Sequence, residues 1–202
     1  MILRATFCIV VMETPMRTVT YGGAVSLDGF LAGADGSLDW LHFSADVQQV
    51  MTDFCRNVDT VLMGRKTYAA AIGQARPKKR SKGRRGPATQ SHPTVRTYVF
   101  SRTLRDIDDP GVELVSGDAV AFVQDLKMQP GKNICLMGGG ELAQALFAAD
   151  LVDEVGLNIH PILLGSGIPV FRDPGRRLRL VLRECRGLDG GCVLAMYRVA
   201  RA

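Results

Sequence analysis

Ile134-Cys135-Leu136-Met137-Gly138-Gly139-Gly140-Glu141-Leu142 runs directly into Ala143-Gln144-Ala145-Leu146-Phe147, and the order of the remaining chain follows from this stretch. An apolar run passes through three glycines into a helix-forming segment: a strand, a turn stripped of side chains, and a helix start. Glycine lacks Cβ, so a ligand can touch the backbone there. The unpaired N–H groups and positive dipole end of the following helix favour an anion such as a phosphate. A tight strand-to-helix turn that binds nothing gives the same pattern, so further signals are needed.

Two other strand ends supply them. Asp59 to Met63 reads as a short buried strand, closed by Gly64 just before Arg65-Lys66-Thr67-Tyr68 opens a helix with two cations and a hydroxyl. Cations at a helix start oppose its dipole unless an anion sits between them. Val95 to Phe100 reads as another strand and ends at Ser101-Arg102.

Around these units the chain alternates. Arg17 to Ser26 predicts a buried strand broken at Leu27-Asp28-Gly29, and a glycine-rich loop follows through Trp40. Ala45 to Arg56 predicts a helix with Val47, Val50, Met51 and Phe54 inward and Asp46 in its first turn. Val112 to Val115 predicts a strand and Asp118 to Met128 a helix; Leu151 to Ile159 predicts a strand, and Pro161 to Gly167 a turn. Arg179 to Leu188 and Cys192 to Val199 form a hairpin across Asp189-Gly190-Gly191. The fold class is α/β: a mostly parallel central sheet flanked by helices, with a C-terminal antiparallel hairpin.

At 202 residues, 47% apolar and 22% charged, the chain suits one domain, 16–202, preceded by an extension at 1–15 that reads as an overlong start or a frayed tail. The net charge of +5 comes mainly from Arg76 to Arg85, inside a basic loop at 74–93 with no apolar periodicity. That run lacks aromatic residues and any nucleic-acid motif, which argues against a nucleic-acid face. No apolar run approaches a membrane span. Five cysteines without a C-x-x-C pair suit free thiols in a reducing, cytoplasmic compartment, and His42, His92 and His160 are too scattered to suggest a metal site.

In an open α/β sheet, ligands gather outside the carboxyl ends of the strands. Gly64-Arg65-Lys66-Thr67, Ser101-Arg102 and Gly138-Gly139-Gly140 all fall at such ends. Together they offer backbone donors for a pyrophosphate plus cations and hydroxyls, as a phosphorylated dinucleotide requires. Gly138 to Ala143 also satisfies G-x-G-x-x-A, but a Rossmann domain wants an acidic residue about twenty positions on. Here that place falls near Asn158-Ile159-His160, so the Rossmann reading is rejected.

Met63-Gly64-Arg65-Lys66-Thr67-Tyr68, Ser101-Arg102 and Met137-Gly138-Gly139-Gly140, in that order, resemble the dihydrofolate reductase fold. Ser26-Leu27-Asp28-Gly29, Leu151-Val152-Asp153-Glu154 and Pro161 to Gly167 are similar to the reductase domain of the bifunctional riboflavin-biosynthesis enzyme. The resemblance spans Arg17 to Val199. It implies an NADPH-dependent reductase passing a hydride to a small pterin-like or pyrimidine-like ring, and a possible homodimer. Gly64, Arg65, Lys66, Thr67, Ser101 and Arg102 would hold the adenosine-side phosphates. Gly138, Gly139, Gly140, Glu141 and Leu142 would hold the pyrophosphate, and the Ala24 backbone the nicotinamide amide. Asp46 is the implied proton-handling residue, while Asp28, Trp40 and Asn158 would border the substrate.

Two departures bear on that substrate. Val95 stands where dihydrofolate reductases carry a folate-binding arginine, and Met137 where the riboflavin enzyme has a glutamate. An inactive nucleotide-binding protein of the same fold is the alternative.

Overall fold

The computed structural model describes residues 16–75, 95–138 and 140–201. The expected extension at 1–15, the basic loop from residue 76 onward and Gly139 lie outside the described residues. In chain order the elements are β1 (Val19–Ser26), β2 (Phe30–Ala32), α1 (Ala45–Arg56), β3 (Val58–Gly64), α2 (Arg65–Ala75), β4 (Arg96–Phe100) and β5 (Val112–Val115). Then come α3 (Ala119–Met128), β6 (Asn133–Met137), α4 (Glu141–Ala148), β7 (Glu154–His160), β8 (Ile168–Pro169), β9 (Leu180–Gly187) and β10 (Val193–Val199).

Eight strands form one sheet in the order β5-β4-β3-β6-β1-β7-β10-β9. All pair in parallel except β10, which runs antiparallel to both β7 and β9. This is the mostly parallel sheet with a terminal hairpin that the alternating pattern predicts.

Period-two alternation sorts the side chains onto two faces. Tyr21 and Val155 join Leu146 and Phe147 of α4 and Val123 and Leu126 of α3 in the larger core. On the opposite face, Leu194 packs with Val47 of α1, Leu188 and Cys192. Full burial of a leucine such as Leu146 contributes roughly 1.5–3 kcal/mol, so these cores set the helix positions.

Helix starts follow from local chemistry. Ser44 has extended backbone and accepts the Val47 N–H, capping α1, while Asp118 accepts from Val120 and Ala121 to cap α3. Lys127 of α3 is buried and pairs with Asp153, which also accepts the Val19 N–H at 2.8 Å, pinning α3 to the start of β1.

Three details differ from the sequence expectations. β2 and β8 form a small antiparallel sheet, β2 inside the segment read as a loop and β8 just after the turn read at Pro161 to Gly167, because Phe30 and Pro169 meet only in three dimensions. Met51 is 50% exposed, not inward: Val47, Val50 and Phe54 occupy the covered stripe of α1, and Met51 falls at its uncovered margin. β7 begins at Glu154; Leu151 and Val152 are buried in the link before it.

Candidate active site

The three glycine-bearing strand ends are neighbours in the sheet. Met63 is level with Val99 on one side and Met137 on the other, so Gly64, Ser101-Arg102 and Gly138 emerge side by side. Thr67, in the first turn of α2, touches the turn after β6: a Cβ added to Gly138 would overlap its hydroxyl, and Gly138 has φ +89°. A glycine is therefore required at this position by both space and backbone.

Gly64 and Gly140 have the opposite character. Among the described residues a Cβ at either would meet nothing within 4 Å, so each glycine leaves open a space that these residues do not fill. Gly140 is the N-cap of α4 and, among the described residues, no side chain bonds that helix start. Arg65 and Lys66 are exposed and, among the described residues, pair with no carboxylate. Arg102 lies 3.8 Å from Glu141 of α4, linking the end of β4 to the glycine turn. Ser101 Oγ accepts from the Thr103 and Leu104 N–H groups at 3.2 and 3.0 Å, shaping the loop that carries Arg102. Beside it is a cavity of about 620 Å³ lined by Arg102, Thr103, Leu104, Arg105, Leu114 and Ser116. Arg105 and Ser116 were not among the sequence candidates; the only signal was a second arginine three positions after Arg102.

Ala24 sits where the sheet splits. β6 pairs with β1 only from Val19 to Tyr21, whereas β7 follows β1 as far as Ser26. Between Gly22 and Ser26 the β1 edge that faces β6 thus has no strand partner among the described residues, leaving backbone donors and acceptors beside the glycine turn. Ala24 is level with Asn158 of β7, and Ser26 with His160, so these four residues share the face that carries α1.

That face holds a compact polar cluster. His160 is 2% exposed; its Nδ1 accepts the His42 N–H at 3.3 Å, and its Nε2 lies 3.1 Å from the Asn158 amide. The Trp40 ring stands edge-on to the imidazole, with centroids 5.3 Å apart, and Cys192 Sγ lies 3.6 Å from Nδ1. Burial, with the nearby His42, pushes the His160 pKa down, and burial, with the Asp46 charge, pushes the Cys192 thiol up.

Asp46 is tied on both oxygens. One accepts from the Ser44 hydroxyl and, at 2.9 Å, from the Val47 N–H; the other accepts the Asp189 N–H at 2.6 Å. The Ser44 hydroxyl and then the Asp189 N–H hold its pKa below the usual carboxylate value. Asp28 is engaged in the same way, by the Ser26 hydroxyl at 2.6 Å and the N–H groups of Gly165 and Leu164 at 2.7 and 3.2 Å, joining the β1–β2 turn to the 162–167 segment. The structure thus brings the cofactor candidates among the described residues to one end of the sheet, and Trp40, Asp46 and Asn158 to the face beneath α1. Asp28 lies apart, at the β1–β2 turn.

Among the described residues no helix is long and apolar enough to cross a membrane, and no group of three or more His, Cys, Asp or Glu could hold a metal.

Sheet order, split strand and glycine-lined edge define a domain of the dihydrofolate-reductase fold. Residues 17–194 match the family described as the RibD C-terminal domain, and the chain belongs to that family. It is 36% identical over 181 residues to the Uncharacterized protein YyaP of Bacillus subtilis (strain 168), covering 90% of this chain and 94% of that one. A candidate riboflavin biosynthesis protein from Shewanella sp. PV-4 superposes with a TM-score of 0.73 at 26% identity, covering 91% of this chain and 99% of its own. The diaminohydroxyphosphoribosylaminopyrimidine deaminase/5-amino-6-(5-phosphoribosylamino)uracil reductase of Thermotoga maritima shares the fold at a TM-score of 0.64 and 18% identity; the match covers 92% of this chain and 57% of that longer one.

Proposed function

We propose that this protein is an NADPH-dependent reductase that transfers a hydride to a small pyrimidine-like or pterin-like heterocycle. The observation that carries the reading is the alignment of Gly64, Ser101-Arg102 and Gly138 at neighbouring strand ends, beside a cavity lined by Arg102 and Arg105. Membership of the RibD C-terminal domain family supports it.

The residues present fit the cofactor. Gly64 and Gly140 keep space that a Cβ would fill, the α4 start is uncapped by any side chain among the described residues, and Arg65 and Lys66 offer exposed charge. In this reading Gly64 to Thr67, Ser101, Arg102 and Arg105 hold the adenosine-side phosphates. Gly138 to Leu142 seat the pyrophosphate, and Ala24 presents backbone groups to the nicotinamide amide. When bound, NADPH supplies the hydride and its two electrons.

Trp40 and Asn158 bound the acceptor ring, with Asp28 holding the β1–β2 turn at the rim. Asp46, kept ionised by Ser44 and the Asp189 N–H, acts through its charge: it favours a ring that takes a proton from water as the hydride arrives. The engagement of both Asp46 oxygens also favours a second reading, a nucleotide-binding protein of this fold without turnover. The sheet edge supports a homodimer, since β9 exposes Leu180, Val181 and Leu182 and, among the described residues, has no strand on its outer side. Among the described residues Cys55, Cys135, Cys185 and Cys192 are unpaired, which suits a reducing, cytoplasmic setting; burial pushes the Cys135 thiol up to about 12.

The test is consumption. Purified protein, NADPH and a panel of pyrimidines and pterins are mixed and the loss of cofactor absorbance followed. The reductase reading expects loss with at least one ring; NADPH that binds but is consumed with none favours the second reading.

A further inference from the structure

Asp46 takes more hydrogen bonds than its helix needs. Ser44 already caps α1 by accepting the Val47 N–H, and Asp46 Oδ1 accepts from the Ser44 hydroxyl and, at 2.9 Å, from the same N–H. Its Oδ2 reaches instead to the Asp189 N–H at 2.6 Å, 143 residues along the chain. Two bonds occupy Oδ1, so among the described residues the Asp189 N–H alone fixes Oδ2.

The donor is held as firmly as the acceptor. Asp189, Gly190 and Gly191 form a 3₁₀ turn between β9 and β10, with Gly190 and Gly191 both at φ +78°. The Leu188 N–H closes the turn on the Cys192 carbonyl at 2.7 Å, and both residues are buried in one cluster with Val47 of α1. A Cβ on Gly190 would stand 2.4 Å from the His42 ring, so the turn lies against the segment that leads into α1. Reversing the chain between β9 and β10 requires none of these contacts.

We propose that the Asp189 to Gly191 turn is a positioning element, whose Asp189 N–H holds the Asp46 carboxylate at the angle that its part in hydride transfer requires. The inference rests on the reductase reading above and makes the C-terminal hairpin part of the catalytic apparatus. The turn acts through Asp46, not on the reacting atoms. Reorienting a carboxylate moves its charge relative to the ring, and an angle left free must be fixed again at each turnover. The titratable groups around Asp46 are His42 before α1, Asp189 itself, Cys192 at the start of β10 and, behind them, His160 of β7. Among the described residues no Lys or Arg pairs with Asp46, so the turn supplies its long-range support.

Proline at position 189 tests this, because it removes that one N–H. Leu188 has the extended backbone, φ −123° and ψ 160°, that a residue before proline adopts, and Asp189 opens the 3₁₀ turn, where proline fits. Asp189→Ala, which loses the side chain and keeps the N–H, is the reference. With an acceptor ring found for the parent, Asp189→Pro should turn over about tenfold more slowly than Asp189→Ala, with the same NADPH affinity by cofactor fluorescence. The acid limb of its pH–rate profile should move to higher pH, since the charged carboxylate has lost a bond. In full-length Asp189→Ala labelled with ¹⁵N, the residue 189 amide proton should move upfield as Asp46 takes up a proton below pH 3.8, and adding Asp46→Asn should abolish the movement. Gly190→Ala drives a Cβ into the His42 ring and should also slow turnover; adding His42→Ala should recover part of the loss. Equal rates in Asp189→Pro and Asp189→Ala, an acid limb common to both, or a residue 189 amide that ignores Asp46 would overturn the proposal. Should Asp189→Pro fail to fold, the Gly190→Ala series and the amide titration decide. A parent that binds NADPH but consumes it with no ring sinks the reductase reading instead, and the amide titration still judges the tie between the turn and Asp46.

Discussion

Thr67 stands where a side chain on Gly138 would have to go. The contact joins the first turn of α2 to the turn after β6, so two of the three strand ends are locked to each other by one hydroxyl and one missing Cβ. Gly138→Ala meets both that overlap and a backbone at φ +89°, and should destabilise the protein by roughly 1–3 kcal/mol in urea unfolding. Thr67→Ala in the same chain should recover part of the loss, because it relieves the overlap but not the backbone strain. A Gly138→Ala protein as stable as the parent would contradict the contact.

Such features were legible in the sequence because they are local. A glycine run between an apolar stretch and a helix-forming one, repeated at Gly64 and echoed at Ser101, needs only neighbours along the chain to be read. What escaped reading is what distant segments make together. Phe30 to Ala32 is too short to announce a strand until Ile168 and Pro169 lie beside it. Arg105 gains meaning only once β4 and β5 bring Ser116 to the same cavity. The cluster around His160 draws on the segment before α1, on β7 and on the start of β10, and no spacing rule links Trp40, Asn158 and Cys192. Asp46 was found by its place in a helix, but its bond to Asp189 belongs to the tertiary fold.

Asp28 gives a pH signature. The Ser26 hydroxyl, opposed by desolvation and aided by the Gly165 and Leu164 N–H groups, holds its pKa below the ordinary 3.8. Folded Asp28 therefore binds a proton less readily than unfolded Asp28. Its contribution is complete above the unfolded pKa and is lost as pH falls through the folded one. Urea unfolding of the parent and Asp28→Asn should differ at neutral pH and converge below pH 3.8; a gap independent of pH would contradict the assignment.

Asp46→Asn separates charge from folding. With an acceptor ring in hand, the variant should lose turnover by about ten- to a hundredfold while keeping its NADPH affinity. Since the Ser44 hydroxyl and the Asp189 N–H keep the Asp46 pKa low, the parent rate should show no Asp46 titration between about pH 5 and 8. Unchanged turnover in Asp46→Asn would remove the carboxylate from the chemistry.

The β9 edge predicts self-association. Leu182 is 54% exposed in a strand exposed along its whole length. Light scattering should report a dimer for the parent, and Leu182→Glu should shift it to monomer without lowering its helix content. A parent that is monomeric at all concentrations would rule out this surface.

The most direct measurement of the central claim is cofactor binding by the purified chain. Titration with NADPH, followed by cofactor fluorescence, should saturate in the micromolar range. NADH, lacking the 2′-phosphate, should bind about tenfold more weakly, and a variant carrying Arg102→Ala with Arg105→Ala should erase that difference. No saturable NADPH binding below about 100 μM, or equal affinity for both cofactors in the parent, would contradict the assignment of this sheet edge to a phosphorylated dinucleotide.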